Sequence, residues 1–331
     1  MDAAANGRLS RWGPFVLAYL LMLVYGYNNL HLEFRGDAYE TWAVASSLWN
    51  PEQPYRSFVE YRGFPVFLIS ALIQKFASVA HLTDIFAFRL FGSLLFAGLA
   101  AISLPNLIAR IGGREPATVL GKFLSVLLVF YFFRGQFLYP SNDAITVFFL
   151  ALSLNAAFRN DSPSWVGAAI SGAWLALAIL CRGNYIVAIP FLLLAMFRSN
   201  GGLAFGGVAS WVRVAALVVP LFIFHAADDM YDRYRTETAG VAKSSNEGVL
   251  SGQLTNGLKI QKIEWNIGNQ YPGMLIYEEP IGKRILEENG ITTNFMELPD
   301  YFSLAARHPL DFIGIYLRHA FGGVDVNYHS T

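Results

Sequence analysis

The stretch that decides the architecture is Phe64–Ala80, FPVFLISALIQKFASVA. It is one of eight apolar runs, and whether it crosses a membrane fixes the side on which everything after it lies. A helix needs about 20 mostly apolar residues to cross the hydrocarbon core. The other seven runs are Pro14–Leu30, Ile85–Ala109, Ala117–Phe133, Ala144–Phe158, Trp165–Leu180, Tyr185–Phe197 and Val208–His225. Several are short, and the spans are expected to extend a few residues at each end. Arg8 and Arg11 precede the first run, which places the N-terminus inside by the positive-inside rule. If Phe64–Ala80 spans, then Arg110, Arg114 and Lys122 flank an outside loop. If it lies in the outer interface, those three come inside, with Arg159 and then Arg198 and Arg213. The second arrangement satisfies the rule at every short loop, and Lys75 in the middle of the run also opposes burial in lipid. Phe64–Ala80 therefore reads as an interfacial helix, and seven spans remain. Arg134, Asp143 and Arg182 then sit at the outer face. The two arginines run against the rule there and need another reason.

Composition agrees with a membrane protein. The 331 residues are 54% hydrophobic and 15% charged, against about 25% charged in soluble chains. Formal net charge is zero, which gives no basis for nucleic-acid binding. The single cysteine, Cys181, excludes an intramolecular disulfide. No small-residue cleavage site follows the first run, so it reads as an uncleaved anchor rather than a removed signal peptide.

The fold class expected is an all-α polytopic membrane protein. Residues 1–225 form the transmembrane domain, with a first external loop at 31–84 that carries juxtamembrane helices. From Ala226 to His308 the composition turns polar, with Asp228, Asp229, Asp232, Arg233 and Arg235 and the turn-forming SSNEG, TNG and NQYPG. That region, 226–308, reads as a small external region with mixed secondary structure. Residues 309–331 hold a short apolar stretch carrying Asp311, Arg318 and His319, read as an interfacial helix or an incomplete span.

The polar residues with chemical potential converge on the outer side. In FRGDAYETWAVASSLW, Asp37 at the N-cap and Glu40 three residues on form a capping box, a role that does not exclude catalysis. Glu33 and Glu60 are further carboxylates of the loop. Asp143 stands at the mouth of an apolar span, where Ser141 suits the cap and an acidic first turn suits the helix dipole. A carboxylate at a membrane boundary also costs energy unless it is paired or wet. Arg182 lies between two apolar runs, either snorkelling to headgroups or clamping a phosphate, which guanidinium matches bidentately. No P-loop, no G-x-G-x-x-G, no H-E-x-x-H and no Cys/His cluster is present. A lipid-linked substrate suits these arginines better than a nucleotide, because its phosphate would lie at their depth.

The layout resembles the GT-C superfamily of membrane glycosyltransferases, which includes protein O-mannosyltransferases and the aminoarabinose transferases of lipid A. Five features carry the resemblance in order: FRGDAYETWAVASSLW, EYRGFPVFLISALIQKFA, FAFRLFGSLLFAGLAAISLPNLIARIGG with Arg89 near its outer end, LYPSNDAITVFFLALSL, and LALAILCRGNYIVAIPFLLLA. Together they cover about residues 12–225. The resemblance implies a GT-C-like helix bundle that transfers sugar from a polyprenyl-phosphate carrier to an acceptor hydroxyl, with inversion. It implies Asp37 as general base and Asp143 as a second catalytic carboxylate. It implies that Arg62, Arg182, Glu60, Tyr139 and Arg134 bind substrate or its phosphate. A divalent cation, Mg2+ or Mn2+, held by Asp37 and Asp143 is the cofactor it leaves open. The partners implied are the polyprenyl-phosphate-linked donor, a lipid, glycan or protein acceptor, and membrane lipids. The setting is a bacterial inner membrane with the active face periplasmic or extracellular. This chain is shorter than better-known members, which leaves room for a partner subunit. Two other readings are a transporter or flippase for lipid-linked sugars, with sites near the bilayer midplane, and a non-catalytic assembly subunit of an envelope complex.

Overall fold

The computed structural model describes residues 3–31, 37–50, 52–58, 62–112, 117–138, 142–159, 164–199, 202–203, 205–242, 249–267, 271–292 and 296–322. The chain is mostly helical and divides into two compact units, Met1–Ser244 and Ser245–Thr331. The first unit holds α1 (Ala3–Asn28), α2 (Asp37–Trp49), α3 (Phe64–Val79), α4 (Asp84–Gly98), α5 (Leu104–Ile111), α6 (Val119–Phe133), α7 (Asn142–Ala157), α8 (Trp165–Cys181), α9 (Ile189–Met196) and α10 (Val208–Ala239). Strands β1 (Arg198–Ser199) and β2 (Gly202–Leu203) form a minimal antiparallel hairpin between α9 and α10.

Among the described residues, three segments are long and apolar enough to cross a membrane: Asp84–Ile111, Val119–Phe137 and Val208–Ala239. The first is continuous because a π-helical turn at Leu99–Ser103 joins α4 to α5. Helix α1 is 26 residues long. The expected spans at Ala144–Phe158, Trp165–Leu180 and Tyr185–Phe197 are occupied by helices of 16, 17 and 8 residues. The first two lie near the lower limit for a crossing, about 17 residues, and the third continues from a 3-10 turn at Gly183–Ala188. The last span expected, Val208–His225, continues as helix to Ala239, where Gly240 adopts the left-handed conformation (φ 65°) and ends it. The change to polar composition at residue 226 therefore falls inside a helix.

The contacts sort the helix ends into two groups. At one end Gly26 of α1 packs on Arg89 of α4, and Gly92 of α4 meets the Phe137 carbonyl just after α6. Asp143 in the first turn of α7 pairs with Arg182 at the end of α8 at this same end. At the opposite end Arg110 of α5 donates to the Asn155 carbonyl of α7 (2.7 Å), and Arg213 of α10 donates to the Arg198 carbonyl (3.0 Å). Arg198 in turn lies over the Phe158 ring, 4.9 Å from its centroid. Arginines thus gather where α5, α7 and α9 end and α10 begins.

Helix α3 lies across the first of these ends. Its N-terminal Gly63 amide donates to the Leu180 carbonyl, the last turn of α8. Its other half packs Ile73 and Ala77 against Ala87 and Phe88, the first turns of α4. Both termini of α3 therefore meet the same end of the unit, which a helix running through it could not do. Helix α2 packs alongside: Gln74 of α3 donates from Nε2 to the Trp42 carbonyl (3.1 Å) and to Ser46 Oγ (2.8 Å).

Packing between the long helices relies on small residues. A Cβ at Gly172 of α8 would collide with the Leu217 carbonyl of α10, so the two backbones approach as only glycine allows. In lipid the hydrophobic effect does not drive helix association, and such close approach with interhelical hydrogen bonds replaces it. Ser153 of α7 supplies one, donating to the Ser171 carbonyl of α8 at 2.8 Å.

The second unit is α11 (Val249–Lys259), the antiparallel hairpin β3 (Ile260–Ile267) and β4 (Tyr271–Glu278), α12 (Pro280–Glu288), α13 (Leu298–Arg307) and α14 (Pro309–Gly322). It has its own core of Leu258, Ile285, Leu286, Met296, Leu304, Phe312 and Ile315. Helix α14 joins that core through Phe312 and Ile315. It also ties to the start of α12, because Arg318 donates from Nε and Nη2 to the two oxygens of buried Glu279 (2.9 and 2.8 Å). A buried carboxylate needs such a partner.

Candidate functional site

The end of the first unit covered by α2 and α3 collects the residues singled out in the sequence. Asp143 and Arg182 form its firmest contact: Arg182 Nη1 lies 2.5 Å from each Asp143 oxygen. Their side chains are 37% and 34% exposed, so the pair is partly exposed at the surface of the unit. The local sequence accounts for the meeting. Asp143 sits in the first turn of α7, where the dipole favours a carboxylate. Arg182 terminates α8 with extended backbone (φ −156°, ψ 110°), which turns its side chain back along the end of the unit. Arg182 spends one nitrogen on Asp143 in the described contacts. Nε and Nη2 present a second edge of the guanidinium fork for an anion.

Arg62 is 3% exposed. Its Nη1 reaches Thr41 Oγ1 at 3.4 Å and Glu40 Oε2 at 3.7 Å, both on α2. Because Gly63 donates to Leu180, the backbone beside Arg62 is bonded two residues before Arg182. A continuous path of contacts therefore links Asp143, Arg182, Arg62 and the first turns of α2. Asp37 opens that helix, one turn before Thr41. Its side chain, and with it the expected capping box, lies outside the described residues, as do Glu33, Glu60, Tyr139 and Ser141.

Arg134 follows α6 and is buried. It donates to the Tyr131 carbonyl (2.9 Å), and its guanidinium lies over the rings of Tyr25 and Phe130, 5.4 and 5.8 Å from their centroids. Its described contacts are thus on the α1–α6 side. The same two rings help line an apolar groove of about 350 Å³ between α1 and α6, with Leu17, Leu20, Leu21 and Val24. Among the described residues no group of three or more His, Cys, Asp or Glu side chains is placed to hold a metal ion. Asp143 directs both its oxygens to Arg182, and the Asp37 side chain, the other carboxylate expected to hold a cation, lies outside the described residues.

Two residues that were read only as part of a polar region belong to this end. Asp228 and Asp232 lie on the continuation of α10. Asp232, 3% exposed, accepts from Tyr55 Oη (2.8 Å) and from the Phe58 amide (3.1 Å). Asp228 accepts from the Phe64 amide at 2.5 Å. The signal was present in the chain: no glycine or proline interrupts residues 221–239, and the two aspartates are spaced i, i+4 on one helical face.

No family model, no curated protein and no solved structure matches this chain.

Proposed function

We propose that this protein transfers a sugar from a polyprenyl-phosphate carrier to an acceptor hydroxyl at the end of the helical unit covered by α2 and α3. The observation that carries the reading is the contact path from Asp143 through Arg182 and Arg62 to the helix that Asp37 begins. It puts carboxylate and guanidinium chemistry together where a lipid-linked phosphate would present its headgroup. Transport, by contrast, calls for polar sites at mid-depth, where Ser153 and Ser171 satisfy each other.

In this reading the acceptor oxygen attacks the anomeric carbon as Asp37 takes its proton. The bond from that carbon to the phosphate oxygen breaks, and its electron pair leaves with the phosphate. A single displacement inverts the anomeric centre. A hydroxyl is a poor nucleophile, and a positioned carboxylate contributes about 100- to 10,000-fold. The phosphate leaving group needs charge stabilisation rather than a proton, and the free edge of the Arg182 fork suits it. Arg62 adds charge from the α2 side. Asp143 orients Arg182 by occupying its Nη1. A divalent cation held by Asp37 and Asp143 would share the remaining lone pairs of the Asp143 carboxylate with Arg182. The aromatic groove beside Arg134 suits an isoprenoid or acyl chain. A lipid, glycan or protein acceptor and a partner subunit complete the proposal, in a bacterial inner membrane with this end outside.

The test is discharge of a polyprenyl-phosphate-linked sugar by the full chain in lipid nanodiscs. Arg182→Ala is expected to lower kcat by about 100-fold, the loss typical of one transition-state charge donor. An unchanged kcat in a folded Arg182→Ala protein would remove the leaving-group role.

A further inference from the structure

The described residues 55–58, 62 and 63 are not helical before α3 begins at Phe64, yet they include the most buried arginine of the candidate site, Arg62. Something must hold them, and the contacts name what does. Four residues on one face of the α10 extension meet these residues and Phe64 in sequence. Asp228 accepts from the Phe64 amide, and the Tyr231 ring stacks on Phe58 at 5.9 Å. Asp232 accepts from the Tyr55 hydroxyl and the Phe58 amide, and the Arg235 guanidinium lies 4.9 Å from the Tyr55 ring centroid. The positions 228, 231, 232 and 235 follow the i, i+3, i+4, i+7 spacing of a single helical face.

The chemistry of each contact is specific. Helix α3 begins after Gly63, which has no side chain to cap its first amides. Asp228 does the capping from another helix, and its charge suits the positive end of the α3 dipole. A Cβ at Gly63 would stand 2.7 Å from Asp228 Oδ1, so the glycine is what lets the carboxylate in. Asp232 is nearly inaccessible, and the Tyr55 hydroxyl and Phe58 amide offset part of the cost of burying its charge. We propose that Asp228 and Asp232 are positioning residues: a two-carboxylate clamp from α10 that fixes Tyr55, Phe58 and Phe64 on either side of Arg62 and so holds Arg62 at the substrate phosphate. This rests on the phosphate role given to Arg62 above. It gives the last long helix a direct hold on the site, although α10 supplies none of the residues assigned to the chemistry.

The experiment uses the full chain in nanodiscs, with amide hydrogen exchange and the affinity for polyprenyl phosphate as readouts. Asp232→Ala and Asp228→Ala are expected to speed exchange of the peptides holding Phe58 and Phe64 at least tenfold, and to weaken polyprenyl phosphate about tenfold. Asp232→Asn keeps an acceptor in the same shape and is expected to stay within about threefold of the parent in both, which also covers an alanine variant that fails to fold. The double variant Arg62→Ala/Asp232→Ala should bind no more weakly than Arg62→Ala alone, since residues acting through one another are not additive. Unchanged exchange in a folded alanine variant overturns the clamp, and so do additive losses in the double variant. If Arg62→Ala alone leaves affinity unchanged, the phosphate role of Arg62 fails, and the exchange result by itself then decides whether the clamp exists.

Discussion

At the scale of single residues, the site is built from charges that would be costly alone. Asp232 is the clearest case, and Tyr55 is its partner. Burial first, then the hydrogen bond to Asp232, pushes the Tyr55 phenol above its usual value of 10.0. In the unfolded chain this phenol ionises at the usual value, while in the folded protein it stays neutral. Its contribution to stability is therefore whole below about pH 10 and is lost as pH rises further. Melting temperature followed from about pH 9 to 11 should fall more steeply for the parent than for Tyr55→Phe. Asp143 and Arg182 were legible in the sequence because each interrupts apolar surroundings, and an isolated charge there demands a partner. The charge pattern put both on one face, but their pairing with each other was not legible, since nothing in the chain says that these two side chains meet. Asp228 and Asp232 were hidden for the opposite reason: they stand among other charges, where a carboxylate raises no question.

At the scale of elements, parity was readable and length was not. The charge pattern demanded that Phe64–Ala80 not cross, and α3 does meet one end of the unit with both its termini. The pattern could not reveal that α7 and α8 are 16 and 17 residues long and that α9 holds 8, because apolar composition runs on through turns that backbone geometry breaks. Nor could it reveal the 32-residue reach of α10, since polar residues past His225 look like a loop when helix continuity is not weighed. Two measurements belong here. With Cys181 replaced by alanine, a cysteine at exposed Glu52 should react with an impermeant thiol reagent added outside, and one at exposed Gly112 should not. Labelling of both from outside would reverse the charge-based topology. Gly172→Val should separate α8 from α10, since the added side chain meets the Leu217 backbone. Overpacking of this kind costs about 1–3 kcal/mol, read as a lower melting temperature in detergent.

At the scale of the molecule, three apolar helices long enough to cross a membrane support an end surface on which two short helices lie, and the second unit folds around its own core. The membrane character of the chain followed from composition alone. The small core at residues 258–315 did not, because its apolar positions are sparse and come from four helices that no short window reveals together. The sugar-transfer reading depends on Asp37, the carboxylate proposed to take a proton from the acceptor. Its most direct test is the rate of sugar release from a polyprenyl-phosphate donor by the full chain in nanodiscs, compared with Asp37→Asn. The parent is expected to discharge the donor, and Asp37→Asn to slow it by at least about 100-fold with donor affinity retained. Equal rates for the two proteins, or a parent that leaves the donor intact with every class of acceptor supplied, would contradict that reading.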